Sequence, residues 1–113
     1  MENTPVLLLV FNRPDLTKAL LDVIKTVRPK RLYIVADGPR VHIPGELEAC
    51  RKVREVFDAI NWDCEVRKLF RDDNMGCDPS IMDGISWFFS QEEQGIILED
   101  DCIPALSFFE FSQ

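Results

Sequence analysis

Three consecutive carboxylates, Glu99-Asp100-Asp101, have the clearest potential for chemistry in this sequence. They directly follow the apolar run Gly95–Leu98, which has the composition of a buried β-strand. Adjacent carboxylates repel one another, so their charge is costly unless a cation neutralises it. Oxygen ligands of this kind favour Mg²⁺ or Mn²⁺, and a divalent ion held there could bind a diphosphate and stabilise its charge. The alternative is a solvated acidic turn.

Polar residues also follow the other apolar runs. The Arg13 guanidinium, next to Asn12, could hold a phosphate or stack on a base, unless it is a surface side chain beside a helix. Asp37 could accept hydrogen bonds from a base or a ribose, unless Asp37-Gly38 is only a turn. The sequence contains no glycine-rich phosphate-binding motif, so phosphate groups would have to be held by the metal and by arginine.

The apolar runs predict the strands that position these residues. Four strands are expected, at Val6–Phe11, Leu32–Ala36, Cys64–Phe70 and Gly95–Leu98, with the third nearer an edge of the sheet. They alternate with three helical patterns, which predicts an α/β fold of three layers: a mainly parallel sheet with helices on both faces. Ligands of such sheets bind beyond the carboxyl ends of the strands, where the polar residues stand.

The helix signals are a second set of expectations. Asp15 is expected to cap the first helix, which Pro29 ends. The second helix is expected from about Gly45 to Ile60. Asp78-Pro79 is expected to start the third helix. That helix should bury five apolar side chains: Ile81, Met82, Ile85, Phe88 and Phe89.

Composition limits the class of protein. The 113 residues are 46% hydrophobic, which predicts one folded domain rather than a disordered chain. The net charge of −7 argues against a nucleic-acid binder. No apolar run is long enough to span a membrane, and the acidic, polar N-terminus lacks the basic region of a secretory signal, so a cytoplasmic protein is expected. After residue 71 there are ten acidic residues and no Lys or Arg, which suits a metal–phosphate site or an acidic surface.

The four cysteines do not form a metal-binding pattern. Cys50, Cys64, Cys77 and Cys102 are widely spaced, without a CxxC pair, so a structural zinc site is disfavoured. Three of the four lie inside or beside apolar segments, so reduced thiols in the core are expected. The single histidine, His42, is expected in a loop without a catalytic partner. A catalytic thiol is therefore not predicted.

Several of these segments together resemble a known family. They are Val10-Phe11-Asn12-Arg13-Pro14, Val35-Ala36-Asp37-Gly38, Asn74-Met75-Gly76-Cys77, and Ile97 to Pro104 with Phe108-Phe109. Their order and spacing resemble the GT-A nucleotide-sugar glycosyltransferases, and most closely the group that includes β-1,2-N-acetylglucosaminyltransferases and bacterial family-2-like sugar transferases. The resemblance implies a Rossmann-like sheet, a Mn²⁺ or Mg²⁺ cofactor, a nucleotide-sugar donor, with a UDP-sugar favoured, and a glycan or other hydroxyl acceptor.

The resemblance also implies roles for single residues. Arg13, beside Phe11 and Asn12, matches the nucleotide contact after the first strand, and Asp37 matches the aspartate that binds the uracil edge. Asp100 matches the carboxylate near the ribose and the sugar. Asp101 matches the direct metal ligand, with Glu99 beside it. The family's nucleotide-binding histidine on the third helix has no counterpart; Asp78, Ser80 and Asp83 occupy that region.

Residues 1–113 are expected to be a single N-terminal, donor-binding part of such an enzyme. Members of the family continue past the metal motif, so the acceptor site and the catalytic base are expected beyond Gln113, and this chain alone is not expected to transfer sugar. Apolar residues near the C-terminus, Phe108, Phe109 and Phe111, would then favour self-association. The alternatives are a non-catalytic nucleotide- or metal-binding module and a protein-interaction α/β domain.

Overall fold

The chain forms four strands and three helices in a computed structural model, which describes residues 4–100. In chain order they are β1 Val6–Val10, α1 Pro14–Val27, β2 Arg31–Ala36, α2 Glu46–Val56, β3 Glu65–Phe70, α3 Cys77–Phe89 and β4 Ile96–Glu99. A short 3₁₀ turn, Phe57–Ala59, follows α2. No helix among these residues is long and apolar enough to cross a membrane.

All four strands pair in parallel, in the order β3-β2-β1-β4. Val6 of β1 lies opposite Leu32 on one side and Ile96 on the other, so β1 is central. The chain builds outward from β1 through β2 to β3 and then crosses back to place β4 on the other side of β1. The predicted α/β class, the parallel sheet and the edge position of β3 are confirmed.

The two faces of the sheet carry separate apolar cores. Val6, Leu8 and Val10 face one side, where α1, α2 and the 3₁₀ turn pack with Leu20, Ile24, Val53 and Phe57. Leu7 and Leu9 face the other side, where Phe88 of α3 packs. Every residue of β1 is buried, as expected for a strand that is covered on both faces. Each fully buried leucine contributes about 1.5–3 kcal/mol, so β1 is a rigid base for the residues that follow it.

Two predicted helix caps are wrong. The helix α1 begins at Pro14, and Asp15 lies inside its first turn without capping it. A proline suits this start because its fixed φ is helical and its missing N–H would have no helical partner. The helix α3 begins at Cys77 after Gly76, whose φ is +92°, so Asp78 and Pro79 both lie in its first turn. Gly76 supplies the positive φ before α3, whereas Arg13, before α1, has an ordinary φ of −118° and makes no side-chain capping hydrogen bond.

The buried face of α3 differs from the predicted one. Ser80, Gly84 and Phe88 are buried, four residues apart, whereas Met82 is 66% and Phe89 is 44% exposed. At Gly84 an added Cβ would lie 2.9 Å from a methyl group of Val35 in β2. The helix therefore approaches the sheet through its small residues, which the search for apolar side chains did not detect.

The described cysteines are reduced but not equally buried. Cys50 is buried in α2, Cys64 is half-buried and Cys77 is exposed at the start of α3. Burial raises the pKa of the Cys50 thiol, and it raises that of Cys64 as well. The expected core thiol is confirmed for Cys50, whereas Cys77 lies at the surface. Cys102 lies outside the described residues.

Candidate functional site

A cleft of about 370 Å³ opens at the carboxyl end of the sheet. Six residues predicted from the sequence to bind substrate or metal line it: Phe11, Asn12, Arg13, Asp37, Glu99 and Asp100. The cleft lies where the strand order reverses on either side of β1, which is where open parallel sheets bind ligands. The last predicted site residue, Asp101, lies outside the described residues, as do Phe108, Phe109 and Phe111.

The end of β1 supplies an exposed cation. Phe11 and Asn12 are half-buried, whereas Arg13 is exposed. The Arg13 carbonyl accepts hydrogen bonds from the backbone N–H of Thr17 at 2.9 Å and from its Oγ1 at 2.8 Å, which joins this residue to the first turn of α1. Within residues 4–100 the Arg13 guanidinium has no hydrogen bond or ion pair, so it is available to an anionic ligand.

Asp37, at the end of β2, forms hydrogen bonds within the protein through both oxygens of its carboxylate. Its side chain is buried, and the residue is 6% exposed. Oδ1 accepts hydrogen bonds from the backbone N–H groups of Gly38 and Met75, both at 2.9 Å, and Oδ2 accepts one from Asn74 Nδ2 at 3.1 Å. The carboxylate thus joins β2 to the loop between β3 and α3. Recognition of a base by Asp37 stays a prediction.

Gly38 allows the same two segments to meet. A Cβ at this position would lie 2.5 Å from the carbonyl carbon of Asp73, closer than real side-chain contacts allow. Asp37-Gly38 therefore does more than turn the chain, because the glycine lets the loop before α3 pack directly on the end of β2. The sequence analysis did not find this role, since the contact is with residues 35 positions away.

Arg40 was missed by the sequence analysis and also lines the cleft. Its Nε and Nη2 donate to the carboxylate of Glu46 at 2.8–3.2 Å, and its guanidinium lies 5.8 Å from the centre of the Phe11 ring. The side chain of Glu46 is only 2% exposed. The hydrogen bonds from Arg40 hold the pKa of Glu46 below its ordinary value, so the pair stays ionised and fixes Arg40 in place.

Two further arginines, Arg54 and Arg71, hold the end of β3 in place through hydrogen bonds. Arg54 Nη2 donates to the carbonyl oxygen of Arg71 at 2.6 Å, and its guanidinium lies 5.1 Å from the centre of the Phe70 ring. Arg71 donates to Ser80 Oγ at 3.1 Å and to Asp83 Oδ2 at 2.8 Å. These contacts hold the end of β3 against α3. Arg71 and Asp83 are therefore framework residues rather than residues that line the cleft.

The acidic segment enters the cleft from β4. Glu99 is the last residue of this strand and is exposed, and the backbone N–H of Asp100 donates to the carbonyl oxygen of Leu9 at 3.2 Å. This bond places Asp100 beside the end of β1. In the part of the chain from 4 to 100, no three His, Cys, Asp or Glu side chains are grouped to hold a metal ion. Glu99 and Asp100 nevertheless supply the hard oxygen donors that Mg²⁺ or Mn²⁺ requires.

The cleft thus offers an exposed arginine, a half-buried aromatic ring, two carboxylates and a second arginine fixed by Glu46. This set can bind a ligand that has an anionic part and a planar part. Comparisons with protein-family models, with curated proteins and with solved structures gave no match. Any inference about function therefore depends on the residues of the cleft.

Proposed function

We propose that this chain is the donor-binding part of a Rossmann-like, GT-A-type glycosyltransferase and that its cleft binds a nucleoside diphosphate sugar, with a UDP-sugar favoured. One observation carries the proposal. Arg13 and the carboxylates Glu99 and Asp100 line one cleft, at the point where the strand order reverses. A diphosphate needs both a direct cation and carboxylates that can hold a metal ion beside it.

Each side chain has a role in this proposal. Arg13 contacts the phosphate groups, and Phe11 and Asn12 contact the nucleoside next to it. Asp100, which is fixed beside Leu9, lies near the ribose and the sugar. Glu99 and Asp101 hold Mn²⁺ or Mg²⁺. The bound metal would neutralise the diphosphate as it leaves the sugar.

Donor binding of this kind serves transfer of the sugar to a hydroxyl group. In the proposed reaction the acceptor oxygen displaces the nucleoside diphosphate with inversion, after a carboxylate takes its proton. The residues argued above bind and orient the donor, and the base is not assigned to any of them. Binding of the donor nucleotide is therefore the property by which this chain can be tested.

The test is a calorimetric titration of UDP into the folded chain, with and without Mn²⁺. We expect binding in Mn²⁺ that weakens by about tenfold or more when the metal is chelated, a change of about 1.4 kcal/mol. Asp101→Ala should abolish the metal-dependent part. Glu93→Gln, which removes an exposed carboxylate at the opposite end of the sheet, is the matched control and should bind like the original chain. Equal binding with and without Mn²⁺, or by Asp101→Ala, would contradict the metal assignment.

A further inference from the structure

The amide of Asn74, in the loop between β3 and α3, has one orientation that its neighbours allow. Its nitrogen lies 3.1 Å from Asp37 Oδ2 and 2.8 Å from the carbonyl oxygen of Gly38. A carboxylate and a carbonyl can only accept hydrogen bonds, so the atom between them must be the NH₂ group, which donates to both. The amide oxygen then points away from this pair.

That amide oxygen is an acceptor that no residue between 4 and 100 uses. Asn74 lines the cleft, and across residues 4–100 its Oδ1 receives no hydrogen bond. Both N–H bonds of the amide are occupied, so the side chain cannot rotate to present a donor without breaking two hydrogen bonds. Asn74 therefore presents a fixed acceptor to whatever enters the cleft.

Asp37 is the residue that fixes the orientation of the Asn74 amide. Its carboxylate accepts from Asn74 Nδ2 and from the backbone N–H of the next residue, Met75, so it holds both the side chain and the backbone of this loop. The close approach of Gly38 to Asp73 brings the preceding residues of the same loop against the end of β2. Asp37 thus acts on the ligand through Asn74, as a positioning residue.

Arg40 carries a hydrogen-bond donor in the same cleft as the amide oxygen of Asn74. Arg40 lines the same cleft, and its pairing with Glu46 uses Nε and Nη2. Nη1 of Arg40 has no hydrogen-bond partner within the described range, and a guanidinium can only donate. A ligand edge that fits an acceptor and a donor carries an N–H next to a carbonyl oxygen. Uracil has this imide edge, whereas the ring nitrogen of cytosine is an acceptor beside an amino group.

We propose that Asn74, held by Asp37, reads the nucleobase by accepting the imide N–H, and that Arg40 donates to the adjacent carbonyl oxygen. This inference rests on the proposed function, because it names the group that selects the base of the donor nucleotide. It differs from direct recognition of the base by the Asp37 carboxylate. The two alternatives can be separated because only one of them depends on the amide oxygen of Asn74.

The experiment measures binding of UDP and of UDP methylated at the imide nitrogen, both in Mn²⁺. Methylation removes the N–H and should weaken binding to the original chain by about tenfold, the effect of one hydrogen bond. In Asn74→Ala, UDP should bind about as weakly as the methylated nucleotide binds to the original chain, and methylation should add no further loss. Asp73→Ala, a change to an exposed side chain of the same loop, should keep the full effect of methylation.

Three other outcomes would each contradict the inference. If methylation still weakens binding to Asn74→Ala, another group reads the base and the inference is wrong. If Asn74→Ala weakens both nucleotides by the same factor, Asn74 only supports the loop and the inference is wrong. If the original chain binds neither nucleotide, the proposed function itself fails, and the inference fails with it.

A second variant applies if circular dichroism shows that Asn74→Ala is unfolded. Asn74→Ser removes the amide oxygen but keeps a hydroxyl that can donate toward Asp37 Oδ2 or the Gly38 carbonyl oxygen, so the effect of methylation should be lost in it. Persistence of that effect in folded Asn74→Ser would show that another group reads the base and would overturn the inference.

Discussion

The arginines of this chain differ in what holds their guanidinium groups, and the difference separates the framework residues Arg54 and Arg71 from Arg13 and Arg40, which line the cleft. Arg40, Arg54 and Arg71 are tied to Glu46, to backbone carbonyls and to α3 respectively. Arg13 has no such partner within residues 4–100 and lies at the edge of the cleft. Its position after β1 could be predicted from the sequence because it follows directly from the end of an apolar run. The pairings of Arg40, Arg54 and Arg71 could not be predicted, because the partners of these long side chains come close only in the folded chain.

Glu92, at the end of the sheet opposite the cleft, shows the same dependence on tertiary contacts. It accepts hydrogen bonds from Arg31 Nε and from the hydroxyl of Tyr33, both at 2.7 Å. Burial alone would raise the pKa of Glu92, but these hydrogen bonds outweigh burial and hold the pKa below its ordinary value of 4.5. Burial, together with the bond to Glu92, raises the pKa of Tyr33 to about 12. The charged carboxylate is therefore the form that stabilises the fold.

Glu92→Gln should destabilise the protein in a pH-dependent way. Because the folded pKa is lowered, the stabilisation by Glu92 is complete above about 4.5 and is lost as the pH falls through the folded value. At pH 7 the variant should lose about 1.5–3 kcal/mol of unfolding free energy, the range for hydrogen bonds to a charged group. Urea denaturation between pH 7 and pH 3 measures this, and the difference from the original chain should shrink toward pH 3. A difference that is constant with pH, or an equal loss in the exposed neighbour variant Glu93→Gln, would contradict the assignment.

The helices and strands were predictable where a single pattern dominates. The strands β1 and β2 are continuous apolar runs that are buried on both faces, and both were found to within one residue at each end. The start and the buried face of α3 were not predicted correctly, because they depend on Gly76 and Gly84 rather than on apolar side chains. A helix can approach a sheet closely where a glycine has no side chain in the way. A search for the spacing of apolar residues does not find such a glycine.

Gly84→Ala tests the approach of α3 to the sheet. Alanine favours the helix by about 1 kcal/mol over glycine. The new Cβ would lie within about 3 Å of both methyl groups of Val35, and overpacking of this kind costs about 1–3 kcal/mol. We therefore expect a net loss of stability in thermal denaturation.

Val35→Ala removes the obstructing methyl groups and serves as the partner in a double-mutant cycle. The pair Gly84→Ala with Val35→Ala should be more stable than the sum of the single effects, by about 0.5–3 kcal/mol. Additive effects would show that the two residues do not obstruct one another. Because Val35 also lines the cleft, UDP titration of each variant shows whether the position of α3 affects binding.

The arrangement of the whole domain explains why its polar residues form one cleft. Parallel strands bring their carboxyl ends to one edge, so the residues after β1, β2 and β4 meet although they are up to 89 positions apart in the sequence. The alternation of strands and helices predicts this meeting. The order β3-β2-β1-β4 could not be read from the sequence, because strand order depends on which helix covers which face. That order places the acidic end of β4 directly beside the end of β1.

The most direct test of the central claim locates the metal and the nucleotide on the folded chain. In ¹H–¹⁵N correlation spectra, substoichiometric Mn²⁺ with UDP should broaden the amide signals of Asn12, Glu99 and Asp100 and should leave those of Glu92 and Glu93, at the opposite end of the sheet, unchanged. UDP with diamagnetic Mg²⁺ should shift the signals of Arg13 and Asn74. Broadening centred on Glu92 and Glu93, or no response at the carboxyl end of the sheet, would contradict the account.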